Sequence, residues 1–412
     1  MSELVALKEG MKDMAKDPQA LTKGLLEEAE GLSKDLVQWR RTLHQIPELG
    51  LDLPKSSAFI RERLDDMGIA YETFLDGNCI VATLGKGEGP CILLRADFDA
   101  LPVQEESGEP FSSTNGCMHA CGHDMHAAML LGAAKLLKER ESELPGQVKL
   151  LFQPGEEGAH GAAACVEAGV LKNPKPDVAF AIHVASVIPV GTFAWGKQPM
   201  ARAHYFQITI DGEGGHGSTP EVCIDPITPA AYIHLGMQEL VSRESAGSDE
   251  VVITTGTFKS GDAPNVIPAS AVLRASMRTF DDDLHDRLYK RIDEIASGIA
   301  KTYRCSSKLE TLSDDPTVNA DVKFGKLTEQ AIKAAMSDAT IDDSLHLMGS
   351  EDFSFISREV PSAYYMVGAR IDGADQVYGQ HNPKARFNER VLPMGVAAHV
   401  AVALTWLNSQ QA

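Results

Sequence analysis

Two kinds of hydrophobic pattern divide the sequence. Up to about residue 200, helical spacings alternate with short apolar runs such as Cys91 to Ala96 and Val178 to Ile182. Apolar runs of this length that alternate with helices are typical of the strands of a largely parallel sheet. The helical segments include a mostly apolar one from Met125 to Glu141 and an amphipathic one that runs into Arg40 and Arg41. This part of the chain predicts an α/β layer with a central, mostly parallel sheet flanked by helices.

The pattern changes near residue 200. Phe206, Ile208 and Ile210 alternate with polar residues, and Ala271 to Phe280 repeats that alternation. Such strands favour an antiparallel sheet with one face open to water. The region ends in the polar run Ser306 to Asn319, after which helical and apolar segments return. We therefore predict a helical extension over residues 1–30, an α/β domain over 31–199 and 311–412, and an inserted, smaller α+β domain over 200–310.

Length and charge limit the kinds of partner and substrate that the protein is expected to bind. The chain has 412 residues, which is long for a single hydrophobic core. Its 38 Lys and Arg against 58 Asp and Glu give a net charge of −20. A field of this sign disfavours nucleic acid and anionic membrane as partners. An anionic substrate would need a local positive site within the acidic protein.

The expected location is a reducing cytoplasm. The first residues do not combine a basic segment with a following apolar one, as a signal peptide would. The longest nearly apolar stretch, Gly395 to Leu407, contains His399 and is shorter than the about 20 residues that span a bilayer. Seven cysteines are an odd and sparse number for a disulfide framework.

The densest group of potential ligands lies between Met118 and His126. It contains one thiol, three imidazoles and one carboxylate, just ahead of a predicted helix. Thiolate and imidazole are the ligands of zinc and similar ions, and a helix N-terminus favours a thiolate. Gly122 lets the backbone turn so that Cys121 and His123 face one ion, whereas we interpret His119 and His126 as surface or core histidines.

A pair of carboxylates follows the next predicted strand. Glu156 and Glu157 come directly after an apolar run, and His183 ends another. Ligands of open α/β sheets bind beyond the carboxyl ends of the strands. Because neighbours in extended chain point in opposite directions, one carboxylate is expected to face a metal and the other a substrate. A carboxylate beside a metal-activated water has the geometry of a general base.

Other polar residues indicate a functional site only when they are considered together. An Asp within Arg95 to Pro102 is placed to hydrogen-bond a ligating imidazole. His216 lies in a glycine-rich loop that permits close approach to a ligand. Asn265 and Arg278 offer an amide and a guanidinium, and arginine suits a carboxylate. His381, in a polar loop, has no single interpretation by itself.

A non-enzymatic alternative also uses this cluster. Cys117, His119, Cys121 and His123 together would form a closed structural zinc knot in a binding protein. That interpretation leaves the carboxylate pair and the two distant histidines, His183 and His381, without a role.

Taken together, the motifs resemble the amidohydrolase branch of the aminoacylase/carboxypeptidase metallopeptidase family. That branch includes hippurate hydrolases, N-acyl-amino-acid hydrolases and auxin-conjugate hydrolases. The resemblance extends from about Arg40 over nearly the whole chain. It depends on segments found in one order: His44 to Glu48, Arg95 to Pro102, Met118 to His126, Gln153 to Gly158, His183, Gly214 to His216, Asn265 to Pro268, Arg278 to Phe280, Gly349 to Phe353 and His381.

The resemblance implies a site with two divalent metal ions, zinc or manganese first, with cobalt or nickel also open. The implied ligands are Cys121, His123, Glu157, His183 and His381. Glu156 is implied as the general base and Asp99 as a carboxylate behind the ligands. His216, Asn265 and Arg278 fall on positions that hold the substrate carboxylate or polarise its carbonyl. Relatives commonly dimerise through the smaller domain, so His216 is expected to act on the neighbouring subunit's site.

The implied reaction is hydrolysis of the amide bond of an N-acyl-amino acid. A metallo-exopeptidase or dipeptidase with the same site is the alternative. The sequence departs from the family at Glu221, where many members have His, and at Gly155, where Ala is usual. Both departures concern specificity more than the reaction.

Overall fold

The structure is a computed structural model that describes residues 17–411, except 86, 88 and 375. It divides the chain into two compact units. The larger unit contains the described residues up to Pro199 together with Asn319–His346 and the chain from Asp352. The smaller unit contains Met200–Val318 and Leu347–Glu351.

The larger unit begins with helices and then alternates helices with strands. Its elements up to the first crossing are α1 (Pro18–Thr22), α2 (Leu25–Gly31), α3 (Ser33–His44), α4 (Pro54–Asp66), β1 (Tyr71–Phe74), β2 (Cys79–Leu84), β3 (Cys91–Asp97), α5 (His123–Glu139), β4 (Gln147–Gln153), α6 (Gly161–Ala168), β5 (Val178–Ala185) and β6 (Thr192–Trp195).

The smaller unit follows, and the chain then returns to the larger one. The smaller unit contains β7 (Arg202–Asp211), β8 (Gly215–His216), α7 (Ile227–Arg243), β9 (Val251–Lys259), β10 (Val266–Ile267), β11 (Ser270–Thr279), α8 (Asp282–Thr302) and β12 (Ser306–Asp315). The returning chain adds α9 (Val322–Ala335), β13 (Thr340–Asp342), α10 (Ser354–Glu359), β14 (Ser362–Gly368) and α11 (Leu392–Ser409).

The sheet of the larger unit is mixed. Its eight strands run in the order β1-β2-β4-β3-β5-β14-β6-β13. The pairs β4–β3, β3–β5, β5–β14 and β6–β13 are parallel, and the pairs β1–β2, β2–β4 and β14–β6 are antiparallel. The predicted fold class is therefore confirmed, since a large, mostly parallel layer carries helices and a separate antiparallel sheet exists.

The core of the larger unit contains two apolar helices, α5 and α11, which contact each other. The segment Glu389–Ser409, which includes α11, is long and apolar enough to cross a membrane, but 89% of its apolar window is buried. It is longer than the apolar stretch considered in the sequence. Its burial accounts for its composition, because a helix covered on all sides needs few polar residues.

The N-terminal extension is helical where the structure describes it, and residues 1–16 lie outside the described part. α1 and α2 contact α11, and Leu25 and Ala29 are buried in the same core. The amphipathic segment predicted to run into Arg40 and Arg41 is two helices, because the helical run is interrupted at Leu32.

The smaller unit is a four-stranded antiparallel sheet, in the order β12-β7-β11-β9, packed against α7 and α8. The alternating residues Phe206, Ile208 and Ile210 point into its core. The expected boundary at residue 310 differs from the observed limit at Val318. The polar run from Ser306 is in fact β12, whose mostly polar side chains hid an edge strand that pairs with β7.

Candidate metal centre

The ends of parallel strands and one helix N-terminus place the candidate ligands. β3, β4 and β5 are parallel neighbours, so the segments after them meet at one edge of the sheet. Asp99 follows β3, Glu156 and Glu157 follow β4, and His183 is the third residue from the end of β5. Cys121 precedes α5, and His123 is its first residue.

Gly122 shapes the turn between these two ligands. Its φ is +90°, a left-handed conformation, and a Cβ at this position would lie 2.4 Å from Val184 Cγ2. A side chain would therefore meet both backbone strain and a clash. This agrees with the role that the sequence predicted for this glycine.

Two imidazoles direct their Nε2 atoms into the centre. His183 Nδ1 lies 2.7 Å from the carbonyl oxygen of Val184, and His123 Nδ1 lies 3.0 Å from that of Asp99. A carbonyl only accepts, so each Nδ1 carries a hydrogen and Nε2 is the nitrogen left for a metal ion. His183 Nε2 lies 3.3 Å from Cys121 Sγ. His123 Nε2 is buried and has no hydrogen-bond partner in the described part of the chain.

The carboxylate pair lies in a turn, which corrects one expectation. Glu156 Oε2 and Glu157 Oε1 lie 3.8 and 4.0 Å from His123 Nε2, so both side chains approach the same imidazole. They were expected to point in opposite directions, as in a strand. The chain is not extended here: Gly158 donates to the Glu156 carbonyl at 2.7 Å, and Gly155 has a φ of +73°. That φ also disfavours the alanine of the usual motif.

Asp99 holds this turn in place. Its two carboxylate oxygens accept the backbone N–H groups of Glu156 and Glu157, each at 3.0 Å. One of these oxygens also lies 3.5 Å from His123 Nδ1. Asp99 thus connects a candidate ligand to the carboxylate pair without facing the centre itself.

His381 completes the group from a distant loop. Its backbone N–H donates to the Ala120 carbonyl at 3.0 Å, and its Nε2 lies 3.2 Å from Glu157 Oε1. Contact with the Cys121 thiol and with the Glu157 carboxylate raises the pKa of His381 to about 10. The centre therefore stabilises positive charge at this position.

Burial and neighbouring charges act against each other in the centre. Burial raises the pKa of the Cys121 thiol, although His123 and His381 oppose this. Burial also disfavours a charged His123, but Asp97 and Asp99 raise its pKa well above the usual value. Burial therefore disfavours a thiolate at Cys121, and positive charge beside the sulfur favours it.

The donor atoms form two overlapping groups. Sγ of Cys121 lies within 4.8 Å of ligand atoms of His123 and His183, and also of those of Glu157 and His381. Cys121 is common to both groups, so a single thiolate could contact two ions. Because distant parts of the chain supply these donors, the arrangement favours a multi-element centre over the local zinc knot.

Two further residues lie beside the centre, at a place that the sequence interpretation did not specify. Asp97 Oδ2 lies 3.9 Å from His123 Nε2, and His126 is buried with its ring 4.5 Å from that of His183. His126 was interpreted as a surface or core histidine, and it is indeed in the core. Its position three residues after His123 on α5 was the available signal, since such residues share a helix face.

The remaining predicted site residues lie in the smaller unit. His216 is exposed on β8 and pairs with Val266 of β10, and Gly217 donates to the Asn265 carbonyl at 2.8 Å. His216 and Asn265 are thus on adjoining segments. Arg278, on β11, donates to the Met348 carbonyl and the Tyr205 hydroxyl, both at 2.7 Å. Their roles toward a substrate remain predictions.

A second group of His and Asp side chains in the smaller unit is already satisfied internally. His204 Nδ1 lies 2.9 Å from His285 Nε2, and His204 Nε2 lies 2.9 Å from the Thr311 hydroxyl. The nearby Asp314 accepts two hydrogen bonds from Arg202, at 2.8 and 2.6 Å. A guanidinium in this position opposes a metal ion, so we interpret the group as a structural network.

Comparison with known proteins places this chain in a family. Residues 93–405 match the model of peptidase family M20/M25/M40. An IAA-amino acid hydrolase of Arabidopsis thaliana is 38% identical over 388 residues, covering 90% of this chain and 87% of that protein. An N-acetyl-L-cysteine deacetylase of Bacillus subtilis is 34% identical over 365 residues, covering 88% and 85%.

A solved structure supports the same assignment. A dinuclear metal binding peptidase from Bacillus subtilis superposes with a TM-score of 0.78 and 31% identity, covering 92% of this chain and 99% of that one. The resemblance inferred from the motifs is therefore confirmed. The chain is a hydrolase that acts on amide bonds, and it belongs to peptidase family M20/M25/M40.

Proposed function

We propose that the protein hydrolyses the amide bond of N-acyl-amino acids, releasing a carboxylic acid and an amino acid. The observation that carries the proposal is the placing of Glu156, 3.8 Å from His123 Nε2, beside five metal-type donors. The relatives that act on an indole-acetyl amino acid and on N-acetylcysteine support this substrate class.

The donor set fits two divalent ions. It combines a thiolate, three imidazoles and a carboxylate, a set that suits zinc and also admits manganese, cobalt or nickel. The buried Nε2 of His123 has no hydrogen-bond partner among the described residues, and a metal ion would give it one. The ligands would be Cys121, His123, Glu157, His183 and His381. When bound, such ions lower the pKa of a water and polarise the scissile carbonyl.

Glu156 acts as the general base. Its carboxylate takes a proton from the attacking water and then delivers it to the leaving nitrogen. Asp99 fixes the backbone of this glutamate, which sets where the carboxylate can reach. Proton transfer by a positioned group contributes about 10²- to 10⁴-fold to the rate.

The smaller unit supplies groups for the substrate. Arg278 and Asn265 bind the free carboxylate of the amino-acid half, and the arginine provides local positive charge in an acidic protein. His216 donates a hydrogen bond to the carbonyl oxygen as its charge develops, an effect of about 3–4 kcal/mol.

A metallo-exopeptidase or dipeptidase is the second candidate, since a similar solved structure is described as a peptidase. The test is to strip the metal, restore zinc, manganese, cobalt or nickel singly, and assay N-acyl-amino acids beside dipeptides. We expect no activity in the stripped protein and faster hydrolysis of the acylated amino acids. Faster hydrolysis of dipeptides would favour the peptidase, and no hydrolysis with any metal would overturn both.

The proposal extends to a homodimer formed through the smaller unit. β9 is an edge strand of its sheet, and its side chains Val252 and Phe258 are 41% and 42% exposed. An edge strand that carries apolar side chains is a surface on which a second copy can pair. Light scattering should give a dimer for the wild type and a monomer for Phe258→Lys, whereas a monomeric wild type would contradict this part.

A further inference from the structure

His126 uses both of its ring nitrogens inside the protein. Its Nδ1 lies 2.5 Å from Asp97 Oδ1, and its Nε2 lies 2.8 Å from the backbone nitrogen of Val184. The Val184 N–H can only donate, so Nε2 accepts, and the ring hydrogen is on Nδ1, directed at Asp97. The imidazole thus keeps no lone pair for a metal ion, although it lies beside two candidate ligands.

Val184 connects His126 to one of those ligands. It follows His183 in β5, and His183 Nδ1 donates to its carbonyl at 2.7 Å. His126 therefore holds the N–H of a residue whose carbonyl orients His183. The two rings also pack edge to face, with centroids 4.5 Å apart. The direction of His183 Nε2 toward Cys121 depends on this arrangement.

Asp97 is itself held in place by a buried arginine. Its Oδ2 lies 2.7 Å from Nη1 of Arg95, a residue only 1% exposed. Arg95 also donates to Gln153 and to Asp352, each at 2.9 Å, and Gln153 donates to Asp352. A buried cation between two carboxylates is stable only in such a fully connected network.

The same contacts argue against ligation by Asp97. Burial would raise the pKa of its carboxyl, but Arg95 and the neighbouring histidines hold it well below the usual range. One oxygen faces Arg95 and the other faces His126. Each oxygen thus has a neighbour at 2.7 Å or less, whereas His123 Nε2 lies 3.9 Å from Oδ2.

We propose that Asp97 and His126 are positioning residues, not ligands, that set the orientation of His183 in the metal centre through the backbone of Val184. The inference rests on the proposed metal centre. It assigns a purpose to a buried network that no step of the hydrolysis uses.

The test uses cobalt(II) bound to metal-stripped full-length protein, followed by visible absorption and by competition with a chelator. His126→Gln and His126→Asn form a matched pair. The glutamine amide reaches as far as Nε2 and can accept from Val184, whereas the asparagine amide reaches only the position of Nδ1. His204→Phe is the control, because it removes a buried imidazole with two bonded nitrogens from the smaller unit.

We expect His126→Asn to bind cobalt about 10- to 100-fold more weakly, with an altered spectrum, yet to reach the wild-type stoichiometry at saturation. His126→Gln should lie close to the wild type, and His204→Phe should match it. Loss of one cobalt equivalent at saturation would make His126 a ligand and overturn the inference.

Unchanged affinity and spectrum in His126→Asn would also overturn it, whatever the effect on stability. If His126→Asn does not fold, Asp97→Asn replaces it with the same expectations. An uncharged amide at this position loses the ion pair with Arg95 and weakens the hydrogen bond from His126 Nδ1. If the wild type binds no cobalt, the proposed metal centre itself is wrong and the inference fails with it.

Discussion

The carboxylate of Asp99 accepts a hydrogen bond from the backbone N–H of Glu156 at 3.0 Å. Its second oxygen accepts from the next residue, so one buried side chain fixes the turn that carries both carboxylates of the centre. The proposed base and a proposed ligand therefore depend on one fully buried residue.

Asp99→Asn should reduce kcat/KM about 10- to 100-fold while the metal content is largely retained. An amide nitrogen would then face a backbone N–H, and two donors cannot bond each other. Steady-state kinetics with metal analysis checks this. The exposed Asp338 gives the control, since Asp338→Asn should leave both quantities unchanged. Wild-type kinetics in Asp99→Asn would remove its role.

Arg278→Ala should raise KM about 10- to 100-fold for substrates with a free carboxylate, because a hydrogen bond to a charged group is worth about 1.5–3 kcal/mol. The guanidinium is already held by two hydrogen bonds, to Met348 and Tyr205, so it is preorganised. Arg274 is on the same strand and donates to Gln207, and Arg274→Ala should leave KM unchanged. Equal KM values in both variants would contradict the assignment.

Acid stability should report on a buried neutral histidine. Burial lowers the pKa of His399, in α11, to about 3. The unfolded chain binds this proton below about pH 6.5 and the folded chain does not, so stability falls as the pH drops between these values. One such group contributes a slope of about 1.4 kcal/mol per pH unit.

His399→Leu should therefore show a shallower loss of unfolding free energy toward acid than the wild type. Urea unfolding at several pH values, with chelator present so that metal binding does not contribute, measures this. His346→Leu, which removes an exposed imidazole, should keep the wild-type slope. Parallel pH dependences for the wild type and His399→Leu would contradict the argument.

Much of the fold was predictable because the pattern of apolar and polar residues indicates which segments are buried. The runs from Cys91 and Val178 are β3 and β5, and the apolar helix before residue 140 is α5. β12 was missed because an edge strand with polar side chains carries no apolar alternation. The short strands β6 and β13 gave too few residues for a pattern.

Less of the candidate metal centre than of the fold was predictable from the sequence. Ligand types and their places, before a helix and near a strand end, mark Cys121 and His183 in the sequence. The role inferred for His126 depends on the backbone N–H of Val184, which no sequence pattern displays. The turn that brings Glu156 and Glu157 to one side was also hidden, because it follows from hydrogen bonds to Asp99.

In the proposed mechanism Glu156 moves the proton while its neighbour Glu157 binds metal. Glu156→Gln and Glu157→Gln make the same isosteric change one residue apart, so kcat and metal content measured on both variants separate the two roles. We predict that Glu156→Gln keeps both metal ions and loses about 10²-fold or more in kcat, whereas Glu157→Gln loses metal. A fully metal-loaded Glu156→Gln with near-normal turnover would contradict the account.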